Sequence, residues 1–200
     1  MGFLVFMSIT DLYYTLFPAD FGIFGIIWQQ PPAGVRVHRI FLPGHHSKLK
    51  AIIHHLYPKS IPGSCPDIDT LGKKIIYYFK GSSSSFHLQS LDFTICSPFQ
   101  KRVLLALSQV PRGWITTYGR LADHLETPGG ARAVGTALSH NPFPIVIPCH
   151  RTIRSSGDIG GFGGEFPGFS QGNNLKKILL ELEGVPVSSQ GIVLSQHFYY

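Results

Sequence analysis

The sequence predicts an α/β (α+β) protein with a small sheet-bearing domain at the N-terminus and a mostly helical domain at the C-terminus. Residues 21–42 alternate short apolar runs with turn signals, which is typical of a β-hairpin. Residues 97–139 hold three segments with helical spacing, and a glycine-containing turn separates the last two. The character of the chain changes between these regions. We therefore expect an N-terminal domain at 1–93, a C-terminal domain at 94–186 and a tail at 187–200.

The composition is that of a globular chain in a reducing compartment. Of its 200 residues 44% are hydrophobic, which is enough for a core without disulfide bonds. The cysteines Cys65, Cys96 and Cys149 are odd in number and far apart. They favour a cytoplasmic location, or a nuclear one in a eukaryote. The apolar residues 1–22 lack a basic n-region and a small-residue cleavage site, so we interpret them as neither signal peptide nor membrane span.

The N-terminal half contains elements of both kinds. A hairpin is predicted by "FGIFGIIW" and "VRVHRIFLP", which flank the turn "QQPPAG". Two helices are predicted by "SKLKAIIHHLYP" and "DIDTLGKKIIYYFKG". The alternation in "SSSSFHLQSLDFT" predicts a further strand. Histidines are frequent here, but their spacing matches no metal-ligand pattern, and we predict no metal.

The C-terminal half begins with three helices. In "SPFQKRVLLALSQVP", Ser97 can cap the helix and Gln100 completes a capping box. "TTYGRLADHLE" begins at a Thr117 cap, and "ARAVGTALSHN" follows after "TPGG", which is the order of a helix-turn-helix. A last helix, "NNLKKILLELEGVP", closes the core.

The third helix has two unusual faces. Arg132 and Thr136 are predicted to point outward, away from the core positions. Ala131, Gly135 and Ser139 give a bare edge, which allows either a close approach to a ligand backbone or only tight helix packing. The sequence alone leaves both readings open.

Positive charge is concentrated in the C-terminal half. The formal net charge is +6, and residues 98–154 hold seven Lys and Arg against two acids. Such an excess suits a polyanionic partner such as nucleic acid. Ordinary solvated charge explains the count equally well.

Cys149 stands in "PIVIPCHR", where a short apolar run predicts a buried strand that ends at a loop. A thiol attacks only as thiolate, so a reactive cysteine needs a group that lowers its pKa or accepts its proton. His150 is adjacent, but neighbouring side chains on an extended segment point apart, and a bridging water is the easier geometry. Arg151 adds positive charge. Considered alone, Cys149 fits a structural cysteine better than a nucleophile.

Several motifs now stand in a recognisable order: "TTYGRLA", "ARAVGTALSHNPFPIVIPCHR" and "GFSQGNNLKKILLELEG". Together they resemble the C-terminal domain of the O6-alkylguanine-DNA alkyltransferases, or methylated-DNA–protein-cysteine methyltransferases. The resemblance covers about residues 92–185. It implies a winged helix-turn-helix in this half and a small ribonuclease-H-like sheet domain in the other.

The resemblance implies a function and roles for single residues. Cys149 would accept the alkyl group irreversibly, once per molecule, from O6-alkylguanine or O4-alkylthymine in double-stranded DNA. His150 would act through a water as its base, oriented by Glu183. Asn141 would brace the turn, and Tyr118 would donate to the flipped guanine. DNA contacts are implied for Arg132, Ala131, Gly135, Thr136 and Arg120. A substrate pocket is implied for Pro144, Arg151, Thr152, Phe169 and Ser170. No cofactor and no membrane are implied, and a monomer is expected.

The chain departs from the family pattern in two places. A glycine-rich insert lengthens residues 155–168, and Thr152 stands where an aliphatic residue is usual. Three alternatives compete with this interpretation: a lesion-binding alkyltransferase-like protein, a regulator that senses alkylation, and a cysteine hydrolase. Cys149 argues against the first, the absence of a sensor domain against the second, and the basic helix-turn-helix against the third.

Overall fold

The computed structural model describes residues 11–162, 172–194 and 197–200. The strands are β1 (Leu12–Ala19), β2 (Gly22–Gln29), β3 (Arg36–Gly44), β4 (Ile61–Pro62), β5 (Thr116–Thr117) and β6 (Thr152–Ile153). The helices are α1 (His46–Leu56), α2 (Pro66–Phe79), α3 (Pro98–Leu107), α4 (Tyr118–His124), α5 (Ala131–Ser139) and α6 (Gly172–Leu182). The predicted fold class, an N-terminal sheet followed by a mostly helical C-terminal half, is confirmed.

The N-terminal half is a four-stranded sheet with a helix on each face. The strand order is β3-β2-β1-β4, with β1, β2 and β3 antiparallel and β4 parallel to β1. On one face α1 contributes Leu49 and Ile53 to an apolar cluster. On the other face α2 contributes Ile68 and Ile75 to the main core. The sheet is therefore buried on both sides, which explains why β2 is almost continuously apolar.

Two expectations for this half need revision. Strand β1 lies in the segment that we had interpreted only as neither signal peptide nor membrane span. The strand predicted from "SSSSFHLQSLDFT" is wrong, because residues 82–92 contain only an isolated bridge between Leu91 and Val37, and a 3-10 turn follows at Phe93–Ile95. Backbone bonds to residues 90 and 92 hold this segment beside the edge of β3. The alternation of apolar and polar residues in this segment reflects side chains that pack on the core, although the backbone forms no strand ladder.

The C-terminal helices begin where the local signals predict. Ser97 Oγ accepts from the Gln100 backbone N–H at 3.2 Å, and Thr117 Oγ1 accepts from that of Arg120 at 3.1 Å. The capping box is only half formed. The Gln100 amide instead donates to the carbonyl oxygens of Ala137 and His140, at 3.2 and 3.0 Å. It thereby ties the start of α3 to the end of α5.

The end of the chain packs on the C-terminal half. Ile115 and Tyr199 are joined by a backbone bond of 2.8 Å, and Val187 and Val193 form an antiparallel bridge. One apolar cluster runs through both halves, from Tyr13 to Leu179. Within the described ranges, none of the helices has both the length and the apolar character that a bilayer crossing requires.

We predict that Ser97→Ala lowers the free energy of unfolding by about 1 kcal/mol, because one N-terminal N–H of α3 loses its acceptor. Ser97 is exposed, so the substitution leaves packing unchanged. Urea denaturation measures the change. Ser97→Asp keeps an acceptor and should retain most of the wild-type stability. Equal losses in both variants would contradict the capping role.

Candidate functional site

A tight turn leads into Cys149, where the sequence had predicted a buried strand. The Asn141 side chain braces it by accepting from the Phe143 N–H and donating to the Ile147 carbonyl, both at 3.0 Å. Ile145 adopts φ +74°, a region that β-branched residues rarely enter. Such a conformation costs on the order of 1–3 kcal/mol and persists only where surrounding contacts impose it. The turn is therefore a rigid support for the residues after it.

Prolines explain why this apolar run forms no strand. Pro142, Pro144 and Pro148 have no N–H to donate, so a continuous ladder is impossible. Pro144 is buried and bridges only to Ile147 within the turn. The Pro142 carbonyl accepts from the Ile40 N–H at 2.8 Å, which anchors the turn to the edge of β3.

Cys149 opens a single 3-10 turn, Cys149–Arg151, and its side chain is half-buried. Burial raises the pKa of this thiol, whereas a hydrogen bond with the Asn141 side chain and the positive charge of Lys176 oppose the rise. Cys65 and Cys96 lie elsewhere on the core, and burial raises the pKa of each of these thiols as well. Of the three described cysteines, Cys149 is the one in which a side-chain hydrogen bond opposes the rise of the thiol pKa.

Behind Cys149 lies a buried group of polar side chains. His150 Nε2 lies 3.1 Å from Glu183 Oε1, and His150 has no exposed surface. Arg151 donates to both oxygens of Glu183, from Nε at 2.8 Å and from its terminal nitrogen at 2.7 Å. Tyr78 Oη donates to Glu183 Oε1 at 2.7 Å. Both oxygens of the carboxylate therefore accept hydrogen bonds. The predicted pairing of His150 with Glu183 is present in the structure.

The electrostatics leave His150 neutral and Glu183 ionised. Burial lowers the pKa of His150 more than the Glu183 charge raises it. Although burial alone would raise the pKa of Glu183, His150 and Arg151 hold it far below its usual range. His150 Nδ1 is buried and has no hydrogen-bond partner among the residues that the structure describes. A neutral imidazole with a free ring nitrogen can accept a proton.

Lys176 is a further buried cation that the sequence reasoning missed. It is 1% exposed, and its Nζ donates to the carbonyl oxygen of Thr152 at 2.7 Å and to that of Ile159. Burial lowers the pKa of Lys176 to about 8, whereas the Cys149 charge opposes this. Its position three and four residues before the buried Leu179 and Leu180 of the same helix was the available signal.

Tyr118 lies close to the thiol, at the start of α4. Burial raises the pKa of Tyr118, and the charge of Cys149 adds to the effect. A Cβ atom at Gly135 would stand 3.8 Å from Cδ1 of Tyr118. The bare edge of α5 therefore faces the Tyr118 ring at Gly135. Because Gly135 has no side chain, there is space beside that ring.

The residues that were predicted to contact DNA lie on the helix-turn-helix that α4 and α5 form. Arg132 and Thr136 are exposed on α5, and Ala131 is half-buried at its start. The Arg120 guanidinium donates to the Tyr200 carbonyl at 2.6 Å and lies 4.7 Å from the ring centre of Phe198. Arg120 is thus engaged by the C-terminal segment.

The seven basic residues of 98–154 do not all lie on the surface. Arg151, which had been expected in the substrate pocket, is the partner of Glu183. Arg112 donates to the backbone carbonyls of Gly81, Ser82 and Leu182. The remaining five are exposed: Lys101, Arg102, Arg120, Arg132 and Arg154.

Two predicted pocket residues, Phe169 and Ser170, lie outside the described residues. Thr152 is fully buried, and its carbonyl oxygen accepts a hydrogen bond from Lys176. Across the described part of the chain, no three His, Cys, Asp or Glu side chains gather into a metal site.

These features define a class. A half-buried thiol backed by a neutral imidazole and a buried carboxylate, beside a basic helix-turn-helix, is the arrangement expected of a DNA-binding protein with a cysteine nucleophile. The family described as "6-O-methylguanine DNA methyltransferase, DNA binding domain" matches residues 98–185. A methylated-DNA–protein-cysteine methyltransferase of Mycobacterium leprae is 37% identical over 150 residues, which are 72% of this chain and 85% of that protein. The chain belongs to the methylated-DNA–protein-cysteine methyltransferase family.

Other similarities agree with this assignment. The relative from Methanothermobacter thermautotrophicus is 44% identical over 62% of this chain. The match spans 65% of that relative, and 59% of one from Mycobacterium bovis, which is less than two thirds of either. The crystal structure of Mycobacterium tuberculosis OGT in complex with DNA matches with a TM-score of 0.65 and 31% identity, over 86% of this chain and 92% of that one. O6-methylguanine-DNA methyltransferase from Pyrococcus kodakaraensis matches with a TM-score of 0.64 and 32% identity, over 87% and 99%.

We predict that Glu183 makes stability pH-dependent in acid. Its folded pKa is depressed, so its contribution is complete above the unfolded value of about 4.3 and is lost as the pH falls below it. Glu183→Gln should lose about 3–5 kcal/mol of unfolding free energy at neutral pH, because Arg151 keeps a buried charge without a counterion. Its stability should then fall less steeply in acid than that of the wild type.

Urea denaturation at a series of pH values measures both effects. Glu181→Gln is the matched control, since Glu181 is exposed near the end of α6, two positions before Glu183, and lies 3.9 Å from the Lys177 ammonium. This control should follow the wild-type curve. Parallel acid profiles for Glu183→Gln and the wild type would refute the assignment.

Proposed function

We propose that this chain repairs DNA by direct reversal. It transfers the alkyl group of O6-alkylguanine, and of O4-alkylthymine, in double-stranded DNA to the Sγ of Cys149. The reaction is irreversible and occurs once per molecule, without a cofactor. The family supports the reaction class. The observation that carries the proposal for this chain is the half-buried Cys149 in front of neutral His150, whose Nδ1 has no partner among the described residues.

The proton of the thiol has a defined route in this proposal. His150 accepts it at Nδ1 through a bridging water, and the ionised Glu183 stabilises the imidazolium that forms. The thiolate then attacks the alkyl carbon, and the bond between that carbon and the O6 oxygen breaks. Tyr118 donates a proton to the departing guanine, which would otherwise leave as an anion. Asn141 holds the turn, and its side chain stabilises the thiolate.

The base has to leave the duplex before this step, because O6 cannot be attacked inside a stacked helix. Exposed Arg132 would fill the space that the base vacates, which offsets part of the cost of unstacking. Small side chains at Ala131 and Gly135 would allow the DNA backbone to approach, and Thr136 and Arg120 would contact it. The pocket would be lined by Pro144, the Thr152 carbonyl, Arg151, Phe169 and Ser170.

We also propose that residues 1–93 and 94–186 act as two domains, with a tail at 187–200. The protein would work as a monomer in the cytoplasm, or in the nucleus of a eukaryote. Its partner would be double-stranded DNA that contains O6-alkylguanine.

We predict that incubation with O6-methylguanine DNA adds a single methyl group, located on Cys149. The thioether has no nearby thiol to which the group could pass, so repair should stop at one methyl group per molecule even with excess DNA. Intact-mass analysis and peptide mapping measure both. Cys65→Ala and Cys96→Ala should react fully, and Cys149→Ala should bind DNA without reacting. Multiple turnovers, or binding without transfer by the wild type, would overturn the proposal.

We predict that Arg132→Ala slows transfer from duplex DNA at least tenfold more than transfer from free O6-benzylguanine. Only the duplex substrate needs an extruded base, and flipping costs a few kcal/mol. Single-turnover rates on both substrates give the comparison. Lys50→Ala removes one exposed positive charge on α1, away from the helix-turn-helix, and serves as the control. Equal losses on both substrates for Arg132→Ala would exclude the wedge role.

A further inference from the structure

The buried group behind Cys149 includes a residue from the opposite half of the chain. Tyr78 lies near the end of α2, is 2% exposed, and donates from Oη to Glu183 Oε1 at 2.7 Å. The same Oη lies 3.0 Å from His150 Nε2. No motif of the C-terminal half contains this tyrosine, and the chain separates it from Glu183 by 105 positions.

The protonation states of the neighbours determine which ring nitrogen of His150 carries the proton. Burial, followed by the Glu183 charge, raises the pKa of Tyr78 beyond its usual range, so its hydroxyl keeps its hydrogen and donates it. An ionised Glu183 can only accept. His150 Nε2 therefore faces two oxygen atoms, 3.0 and 3.1 Å away, that both suit an N–H donor. A lone pair at Nε2 would be repelled by both.

We infer that Tyr78 is a positioning residue of the Cys149 site, because its hydroxyl fixes Glu183 and holds the His150 proton on Nε2. This leaves Nδ1 as the acceptor for the thiol proton. The inference rests on the proposed function for its role in repair. The tautomer itself is a property of the folded protein and does not depend on DNA.

The surroundings of Tyr78 support a fixed geometry. The Arg112 guanidinium lies 5.8 Å from the centre of its ring, and Phe79 and Phe86 pack edge-on against it. Tyr78 also lines a cavity of about 320 Å³ with residues 83–86 and 108–112, whereas His150 and Glu183 do not line it. The ring therefore borders that cavity, and its hydroxyl contacts the buried pair.

Other charges also act on His150, and the test must separate them from Tyr78. The ionised Glu183 raises the pKa of His150, whereas the positive charges of Arg151 and Lys176 lower it. In Tyr78→Phe all three remain, whereas Glu183 Oε1 loses one donor and the Nε2–H of His150 loses one of its two acceptors. The proton is then held less firmly on Nε2.

The experiment compares wild type, Tyr78→Phe and Tyr13→Phe. Tyr13 is the matched control, because it is a fully buried tyrosine whose hydroxyl has no partner among the described residues. Nitrogen-15 NMR of labelled histidine reports the tautomer and pKa of His150. The rate of Cys149 alkylation by iodoacetamide as a function of pH reports the acceptor, and needs no DNA.

The wild type should show the Nε2–H tautomer. Tyr78→Phe should mix the two tautomers and slow alkylation at neutral pH about fivefold, the factor that corresponds to one net hydrogen bond. Tyr13→Phe should match the wild type. An Nδ1–H tautomer in the wild type, or unchanged NMR and alkylation profiles in Tyr78→Phe, would overturn the inference. Methyl transfer by the wild type is measured separately, so failure of the proposed function is distinguishable from failure of this inference.

Discussion

The buried carboxylate of Glu183 is the constraint on which the rest of the site depends. Removing a charge from water costs several kcal/mol unless donors surround it. Here His150, Arg151 and Tyr78 all point at its two oxygens. These donors come from α2 and from the 3-10 turn after Cys149, while Glu183 follows α6. Satisfying one carboxylate therefore fixes the relative positions of three separate parts of the chain, and the orientation of the imidazole beside the thiol follows from it.

A second constraint holds the thiol itself. The turn before Cys149 keeps Ile145 in a strained conformation, and strain of this kind persists only under strong local restraint. Asn141 provides part of the restraint through two hydrogen bonds, and the bond from Ile40 to Pro142 provides another. The edge of the N-terminal sheet thus supports the nucleophile. The two halves meet at the site twice, once through the sheet edge and once through Tyr78.

How far the sequence predicts this arrangement depends on the range of the interactions. The start of α3 was predictable because Ser97 and Pro98 act on neighbouring residues, and the hairpin of β2 and β3 for the same reason. The run before Cys149 was misread because its β-branched residues outweighed three prolines that remove backbone donors. The role of Tyr78 could not be predicted, because no local sequence pattern distinguishes a tyrosine whose hydrogen-bond partner lies 105 positions away. The family motifs named Glu183 and His150, but a motif contains no information about packing partners outside it.

The distribution of positive charge in the C-terminal half was likewise only partly predictable from the sequence. A count along the sequence treats every arginine alike, although a guanidinium can bind either a phosphate or the protein itself. Arg151 is fully occupied by Glu183 and by the Val110 carbonyl, and Arg112 by backbone carbonyls. Both stabilise the buried group behind the thiol and are unsuited to phosphate contact. The charge available to a polyanionic partner is consequently smaller than the count suggests and is concentrated on fewer exposed side chains. The excess of arginine in this region therefore has two physical origins: one part holds the carboxylate that orients His150, and the other lies on the surface that would receive the duplex.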